Sequence, residues 1–304
     1  MLGSRPLSNF RISSVCLFLA LFRPKCLALF YDTNSFRHCV TNKTWCIYGD
    51  STIEETIHDM SALLAGLNTQ ERLNFYRLLN TEHTKRNISL GLGVLVLIEN
   101  EGHERSHRLM KVYCQQIGFE LKHRFTGHRI LNENSEGITA LILHLMENWK
   151  YLAETCDEIL INSAAHDWSR GAEWMHEEYI DNLESLLRFL RIVHSNNTKP
   201  HMFWKGNAWY AYKSFDGYGR YAFEEQLRSE YRVYEALKDS SVKFINVSDA
   251  LTALPEMPQT AKIDRPGPHI GQAGARLEQE GSLMWTTAST QRVIEEMCEW
   301  SPRV

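Results

Sequence analysis

Five residues of this chain have the types and the order that acyl-transfer chemistry requires: Ser51, Asn162 or His166 as an oxyanion donor, Asp264 and His269. A serine hydroxyl becomes a nucleophile when a histidine accepts its proton and a carboxylate orients that histidine. The oxyanion that forms on the acyl group needs hydrogen-bond donors already in position, which an asparagine amide can supply. The sequence therefore predicts a covalent acyl-serine site, provided that the fold brings these residues together.

The segment around Ser51 predicts a buried strand, a sharp turn and an amphipathic helix. Residues 45–48 form a short apolar run, and Gly49-Asp50 supplies the turn. Apolar residues then recur at helical spacing: Ile53, Ile57, Met60, Leu63 and Leu64. Ser51 is thus expected at a helix N-terminus, where unpaired backbone N–H groups and the helix dipole favour negative charge. The alternative is that Ser51 or Thr52 only caps the helix.

Strands and helices alternate along the rest of the chain, which predicts an α/β fold. We expect strands near residues 90–98, 119–125, 157–163, 201–205 and 242–247, and helices near residues 69–79, 138–152, 176–193, 221–237 and 287–300. Strands separated by helices form a parallel sheet with helices on both faces. The predicted fold is a three-layer α/β/α sandwich with a mostly parallel central sheet. It occupies residues 41–304 as one domain, after an N-terminal extension at residues 1–40.

Ligands of open α/β sheets bind beyond the C-terminal ends of the strands. Ser51, residues 162–167 and residues 264–269 all follow predicted strands, so we expect them at this edge of the sheet. A segment dense in aromatic residues also follows a strand: Trp204, Trp209, Tyr210, Tyr212 and Phe215. Aromatic faces there suit the rings of a sugar. The alternative is a loop anchored by its own aromatic side chains.

The composition excludes one function class and indicates a compartment. With a net charge of −4 and a pI near 6.4, the chain has no basic field for nucleic acid. The apolar run at residues 15–22 is too short to span a bilayer; it resembles a signal peptide or a weak membrane anchor, and an extension with neither role is the alternative. Four Asn-x-Ser/Thr triplets, at Asn42, Asn87, Asn196 and Asn246, favour the secretory pathway.

Seven cysteines without a C-x-x-C pair are too few for a disulfide scaffold. In a lumenal domain, Cys39 or Cys46 near the start could join Cys298 near the end. Buried free thiols are the alternative, and the sequence leaves both open.

The segment His103-Glu104-x-x-His107 matches the H-E-x-x-H pattern of zinc metalloproteases. Zinc helices of this kind are buried, and most of their intervening positions are uncharged. The charged Arg105 and Arg108 instead favour a solvated segment. A zinc hydrolase is therefore the less favoured interpretation, and the predicted acyl-serine site needs no metal or other cofactor.

Gly49-Asp50-Ser51 after the first strand resembles block I of the SGNH (GDSL-type) hydrolases. The late loop with Asp264 and His269 resembles their block V, which supplies the acid and the base. The resemblance implies that Ser51 is the nucleophile, that His269 is the general base and that Asp264 orients His269. It also implies that Asp50 shapes the turn around the serine and that the Ser51 backbone N–H donates to the oxyanion.

Two further features are similar to the neurexophilin-and-PC-esterase branch of that superfamily. One is the extended motif at residues 48–53, and the other is Pro-His-Ile-Gly at residues 268–271 before a last helix that contains Cys298. The resemblance spans about residues 45–299. It implies an esterase or O-acyltransferase that acts on an acylated carbohydrate or glycan in the secretory pathway.

Two departures from the family pattern bear on activity. The family has Asp-x-x-His in its last block, whereas four residues separate Asp264 from His269. Its third block is Gly-x-Asn-Asp, whereas this chain has Ala164-Ala165-His166-Asp167, and Asn162 or His166 could donate to the oxyanion instead. These departures keep a second hypothesis open, a catalytically inactive secreted or Golgi glycoprotein with the same fold.

Overall fold

Helices and strands make up most of the residues that the computed structural model describes, which are 31–49, 51–79, 85–100, 108–125, 138–162, 173–194, 199–206, 230–247 and 280–300. The helices are α1 (Thr33–Val40), α2 (Ser51–Leu64), α3 (Thr69–Leu79), α4 (Ile138–Thr155), α5 (Glu173–Val193) and α6 (Glu280–Trp300), and residues 230–237 are also helical. The strands are β1 (Thr44–Gly49), β2 (Lys85–Ser89), β3 (Val94–Asn100), β4 (Arg108–Cys114), β5 (Phe119–Phe125), β6 (Glu158–Ile161), β7 (His201–Lys205) and β8 (Val242–Ile245).

The described strands form one sheet in the spatial order β2-β3-β4-β5-β1-β6-β7-β8. Strands β5, β1, β6, β7 and β8 pair in parallel, and β2, β3, β4 and β5 pair antiparallel. Numbered along the chain, the parallel strands lie in the order 2-1-3-4-5, which is one of the two common doubly wound orders. The predicted α/β fold with a mostly parallel sheet is therefore confirmed.

Helices cover both faces of the central strands β1, β6 and β7 because these strands are apolar on both sides. Along β1, Trp45 and Ile47 enter a first core, whereas Cys46 and Tyr48 enter a second core on the opposite face. The first core is completed by α1, α2, α3 and α6, and the second by α4, α5 and the helical residues 230–237. Because both cores meet at β1, this strand is held rigidly at the centre of the molecule.

The antiparallel strands β2 and β4 widen the sheet beyond the predicted elements, and β3 corresponds to the strand predicted near residues 90–98. One side of β3 and β4 is buried in the first core, at Val94, Val96, Ile98, Met110 and Val112. The strand predicted at residues 90–98 is wrong in its first part, because residues 91–93 form a 3₁₀ turn. Leu92 and Gly93 have φ angles of 53° and 70° there, in the left-handed region that a strand cannot use.

Helix α1 belongs to the folded domain, although the sequence assigns residues 1–40 to an extension. Its Phe36 and Val40 are fully buried in the first core. The preceding Tyr31 is clamped by Gln291 of α6, whose side-chain amide accepts a hydrogen bond from the Tyr31 N–H and donates one to the Tyr31 carbonyl, both at 2.9 Å. The domain therefore begins no later than Tyr31.

Two disulfide bonds, Cys39–Cys298 and Cys46–Cys156, join distant parts of the chain. The first connects α1 to α6, and it is one of the two end-to-end links that the sequence leaves open. The second connects β1 to the residue after α4 and lies within the second core. Cys114 is a buried free thiol.

Within the described ranges, no helix combines the length and the apolar character that a membrane crossing requires. The apolar run at residues 15–22 lies outside these ranges. Its role as a signal peptide or weak anchor stays a prediction.

Candidate active site

Ser51 is the first residue of α2, and a single residue separates it from the end of β1 at Gly49. Helix α2 forms here because apolar residues recur every three or four positions and are all fully buried: Ile53, Ile57, Met60 and Leu64. The N–H groups of the first helical turn have no acceptor within the helix. The structure thus places Ser51 at the strand-to-helix junction that the sequence predicts. Asp50 lies outside the described residues.

Gly49 has to be a glycine because two neighbours approach it closely. A Cβ atom at this position would lie 2.9 Å from the Asn162 backbone oxygen and 2.9 Å from the Ile53 Cγ2 atom. Both contacts are shorter than real Cβ contacts, and the backbone oxygen cannot rotate away. The first residue of the Gly-Asp-Ser motif therefore allows β1, α2 and the end of β6 to pack against one another beside Ser51.

Asn162 follows β6 and connects the ends of three neighbouring strands. Its backbone N–H donates to the Tyr48 carbonyl at 2.8 Å, and its side-chain Nδ2 donates to the Lys205 carbonyl at 3.0 Å. The residue is fully buried. Its amide therefore has a structural task, because it holds β7 beside β6. The predicted role of Asn162 as an oxyanion donor is untested.

We predict that Asn162→Ala lowers the free energy of unfolding by about 1–3 kcal/mol, because the buried Lys205 carbonyl loses its described amide donor. Urea denaturation of the two proteins measures this difference. Asn74→Ala is the matched control, since Asn74 is an exposed asparagine of α3 and the change should stay within about 0.5 kcal/mol. Equal losses in both variants would contradict the structural role of Asn162.

The crevice expected of this fold lies where the strand order reverses, between β1 and β6. Ser51 follows β1 and Asn162 follows β6, so both lie at this crevice, at the C-terminal edge of the sheet. His166, Asp264 and His269 lie outside the described residues, and their meeting with Ser51 stays a prediction. Of the aromatic segment, only Trp204 is described. It is 2% exposed in the second core, so it does not face a sugar.

A buried ion pair fixes the helix that carries Ser51. The Asp59 carboxylate of α2 accepts hydrogen bonds from Arg72 Nη1 at 2.9 Å and from the Tyr76 hydroxyl at 3.2 Å. Burial raises the pKa of Asp59, and the charge of Arg72 acts in the opposite direction. Arg72 also reaches the Thr287 hydroxyl at 3.5 Å, so the same group links α2 to α3 and α6.

Sequence reasoning missed a polar group on the opposite face of the sheet, formed by Tyr48, Arg124 and His144. Tyr48 and Arg124 are register partners in the parallel strands β1 and β5. The His144 ring of α4 lies 5.2 Å from the Tyr48 ring, centroid to centroid. The charged residues Glu120, Lys122 and Arg124 alternate along β5, which was a visible signal for one polar face. The position of α4 over β1 had no signal in the sequence.

Tyr48 and His144 are both neutral at pH 7. Burial raises the pKa of Tyr48 well above its ordinary value, and the nearby Arg124 charge only partly offsets this. Burial, with the Arg124 charge acting in the same direction, lowers the pKa of His144 from 6.5 to about 4. The imidazole of His144 is therefore a neutral hydrogen-bonding group at neutral pH.

The lowered pKa of His144 predicts a loss of stability in acid. The unfolded chain takes up this proton near pH 6.5 and the folded protein near pH 4, so stability present above pH 6.5 is lost as the pH falls through this window. Because the ring is partly solvated, we expect the free energy of unfolding to fall by about 1–2 kcal/mol. Urea denaturation at both ends of the window measures it. The His144→Phe variant should lose less stability than the parent, and an identical loss would contradict the prediction.

The described ranges contain no cluster of three His, Cys, Asp or Glu residues that could hold a metal ion. His103, Glu104 and His107 lie outside these ranges, in the connection between β3 and β4. These strands pair up to Asn100 and Arg108. The zinc interpretation therefore depends on the sequence pattern alone.

Neither a protein-family model nor a curated protein matches this chain. Among solved structures, it is similar to Axe2, an acetylxylan esterase from Geobacillus stearothermophilus, at 12% identity and a TM-score of 0.42, covering 84% of this chain and 95% of the esterase. It is also similar to LAE5, an alpha/beta hydrolase enzyme from the metagenome of Lake Arreo, Spain, at 14% identity and a TM-score of 0.36, covering 81% of this chain and 96% of that enzyme. Both TM-scores are low, so the fold assignment depends on the strand order and the two cores described above.

Proposed function

We propose that this chain is a serine esterase or O-acyltransferase that acts on an acylated carbohydrate or glycan. The observation that carries the proposal is the position of Ser51, the first residue of α2, at the crevice between β1 and β6. A helix N-terminus presents free N–H groups and favours the negative charge of an oxyanion. The resemblance of Gly49-Asp50-Ser51 to block I of the SGNH hydrolases, and of its surroundings to the PC-esterase branch, supports the same chemistry.

In the proposed mechanism, His269 takes the Ser51 proton while the serine oxygen bonds to the acyl carbon. The oxyanion on that carbon is stabilised by the Ser51 N–H and by Asn162 or His166. The bond to the sugar oxygen then breaks, and His269 returns the proton to this alcohol. Water or an acceptor hydroxyl attacks the acyl-Ser51 ester in the same way, which gives hydrolysis or transfer. Asp264 orients His269 throughout.

The proposed compartment is the secretory pathway, either the Golgi lumen or the outside of the cell. Two disulfide bonds support this, because disulfides persist in oxidising compartments. Two of the Asn-x-Ser/Thr asparagines, Asn42 and Asn87, are exposed on the folded domain, as glycosylation requires.

A glycoprotein that keeps this fold without catalysis is the second candidate. The observation that favours it is the structural use of Asn162, whose amide nitrogen already donates one of its two hydrogens to the Lys205 carbonyl. Loss of one oxyanion donor costs about a hundredfold to a thousandfold in rate. The longer spacing between Asp264 and His269 also favours the inactive glycoprotein.

A fluorophosphonate probe separates the two candidates, because it labels only a serine whose hydroxyl is activated. An esterase or acyltransferase should be labelled, and peptide mass spectrometry should locate the adduct on Ser51. Ser51→Ala is the control and should remain unlabelled. An intact, folded parent protein that takes up no probe would reject the enzyme and favour the inactive glycoprotein.

A further inference from the structure

Three hydrogen-bond donors at one side of the sheet edge have no acceptor among the residues that the structure describes. They are the Tyr48 hydroxyl, the Arg124 guanidinium and the His144 Nε2–H, here called the donor cluster. In the part of the chain that the structure describes, no hydrogen bond or ion pair occupies any of the three. Arg124 is exposed, and the ring of His144 is partly exposed. Arg124 and His144 are thus open to a ligand from solvent, whereas Tyr48 is only 6% exposed.

The tautomer of His144 follows from its neighbour Asn148. The Asn148 Nδ2 lies 2.8 Å from the His144 carbonyl oxygen, which identifies this atom as the amide nitrogen, since a second oxygen would repel. The same Nδ2 lies 3.2 Å from His144 Nδ1, which must therefore accept. A neutral imidazole with an accepting Nδ1 carries its hydrogen on Nε2. His144 therefore offers a donor to a ligand, as Arg124 does.

Charge balance along β5 sets Arg124 apart from its neighbour. Lys122 points to the same face two residues earlier, and its ammonium pairs with Glu120 at 3.3 Å and lies 5.8 Å from the centre of the Tyr151 ring. Among the described residues Arg124 has no such acidic partner. An open guanidinium beside two neutral donors, with no acceptor between them, is an arrangement that favours an anion.

The donor cluster lies close to the proposed nucleophile. Tyr48 precedes Ser51 by three residues, a separation of at most about 10 Å between Cα atoms. Arg124 lies in the adjacent strand, level with Tyr48. Ser51 and the donor cluster therefore both lie at the C-terminal end of β1 and its neighbour β5.

We propose that the donor cluster binds a carboxylate of the carbohydrate, so that the preferred substrate of the Ser51 site is an acylated acidic sugar. This rests on the proposed function for the chemistry at Ser51, whereas the binding of the carboxylate needs no chemistry. The Arg124 guanidinium forms two parallel hydrogen bonds to the carboxylate, and Tyr48 and His144 donate to its remaining lone pairs. Charge-assisted bonds of this kind distinguish an acidic sugar from its neutral analogue.

The test compares methyl glucuronoside with methyl glucoside. The two sugars differ only at C6, which is a carboxylate in the first and a hydroxymethyl group in the second. Binding to the full chain carrying Ser51→Ala is measured by calorimetry, so that no turnover interferes. We expect the acidic sugar to bind at least about tenfold more tightly, and Arg124→Gln to remove this preference. Lys122→Gln is the matched control and should retain it. His144→Phe keeps an aromatic ring against Tyr48 and should lose part of the preference.

The second arm measures kcat/KM of the parent on the acetylated forms of both sugars and of glucose 6-sulfate. Faster turnover of the uronate, abolished by Arg124→Gln, supports the proposal. Equal binding of the uronate and the neutral sugar by the Ser51→Ala protein would overturn it, as would an equal preference for the sulfate. If the uronate preference in binding persists while Ser51 proves irrelevant to turnover, the carboxylate site stands and the proposed function at Ser51 fails.

Discussion

Replacement of Ser51 by alanine is expected to lower the turnover of p-nitrophenyl acetate by at least about a thousandfold. The alanine has no hydroxyl to form the acyl ester, so that only the oxyanion donors and substrate binding remain. The fold should be preserved, because Ser51 is at the very start of α2 and the helix is held by its buried apolar residues and the Asp59–Arg72 pair. Initial rates measure the loss of turnover, and circular dichroism with thermal unfolding measures whether the fold is preserved.

Thr52→Ala is the control for this experiment. It changes the adjoining residue of the same helix start without removing the proposed nucleophile, so its rate should stay close to that of the parent. If Ser51 only caps α2, then Ser51→Ala should cost about 1 kcal/mol of stability and leave the rate unchanged. That pattern would remove Ser51 from the mechanism while leaving the fold intact.

Loss of the Cys39–Cys298 disulfide is expected to lower the free energy of unfolding by about 2–5 kcal/mol. The bond closes a loop of 259 residues in the unfolded chain and so restricts its freedom. It also holds α1, whose Phe36 and Val40 contribute to the first core. Urea denaturation of the Cys39→Ser/Cys298→Ser variant under non-reducing conditions measures the loss.

Cys114→Ala is the comparison for the disulfide variant, since it removes a buried thiol that forms no described bond. Its cost should be near 1 kcal/mol, a usual value for a small core change. If the Cys39→Ser/Cys298→Ser variant unfolds at a urea concentration as high as that of Cys114→Ala, the stabilising role of the disulfide is contradicted. Thiol labelling of the unfolded parent provides an independent check that the two cysteines are paired.

Most of the parallel half of the sheet could be predicted because β1, β6 and β7 are apolar runs between amphipathic helices, whereas β5 alternates apolar and charged residues. Residues 201–205 and 119–125 have the predicted bounds, and α3 also begins and ends where the spacing indicates. The junction at Ser51 was predictable for the same reason: a short apolar run, Gly49 and a helical repeat follow one another directly.

The parts that were missed depend on contacts that no local pattern reveals. Helix α1 has only two fully buried apolar residues, Phe36 and Val40, and its docking needs the distant α6. The Cys46–Cys156 bond forms because β6 pairs with β1, which places the end of α4 beside the middle of β1. The donor cluster likewise depends on the register of β5 with β1, and so it could not be read from Arg124 or His144 alone.

The clamp on Tyr31 and the Cys39–Cys298 bond also determine how the domain would carry a mechanical load. A pull on the segment before residue 31 reaches α1 first, and the disulfide transmits it through Cys298 into α6 before it reaches β1 at Thr44. Part of the tension is thereby carried by the outer helical layer. In a domain tethered through its N-terminal segment, β1 and the serine that follows it would carry less of the load.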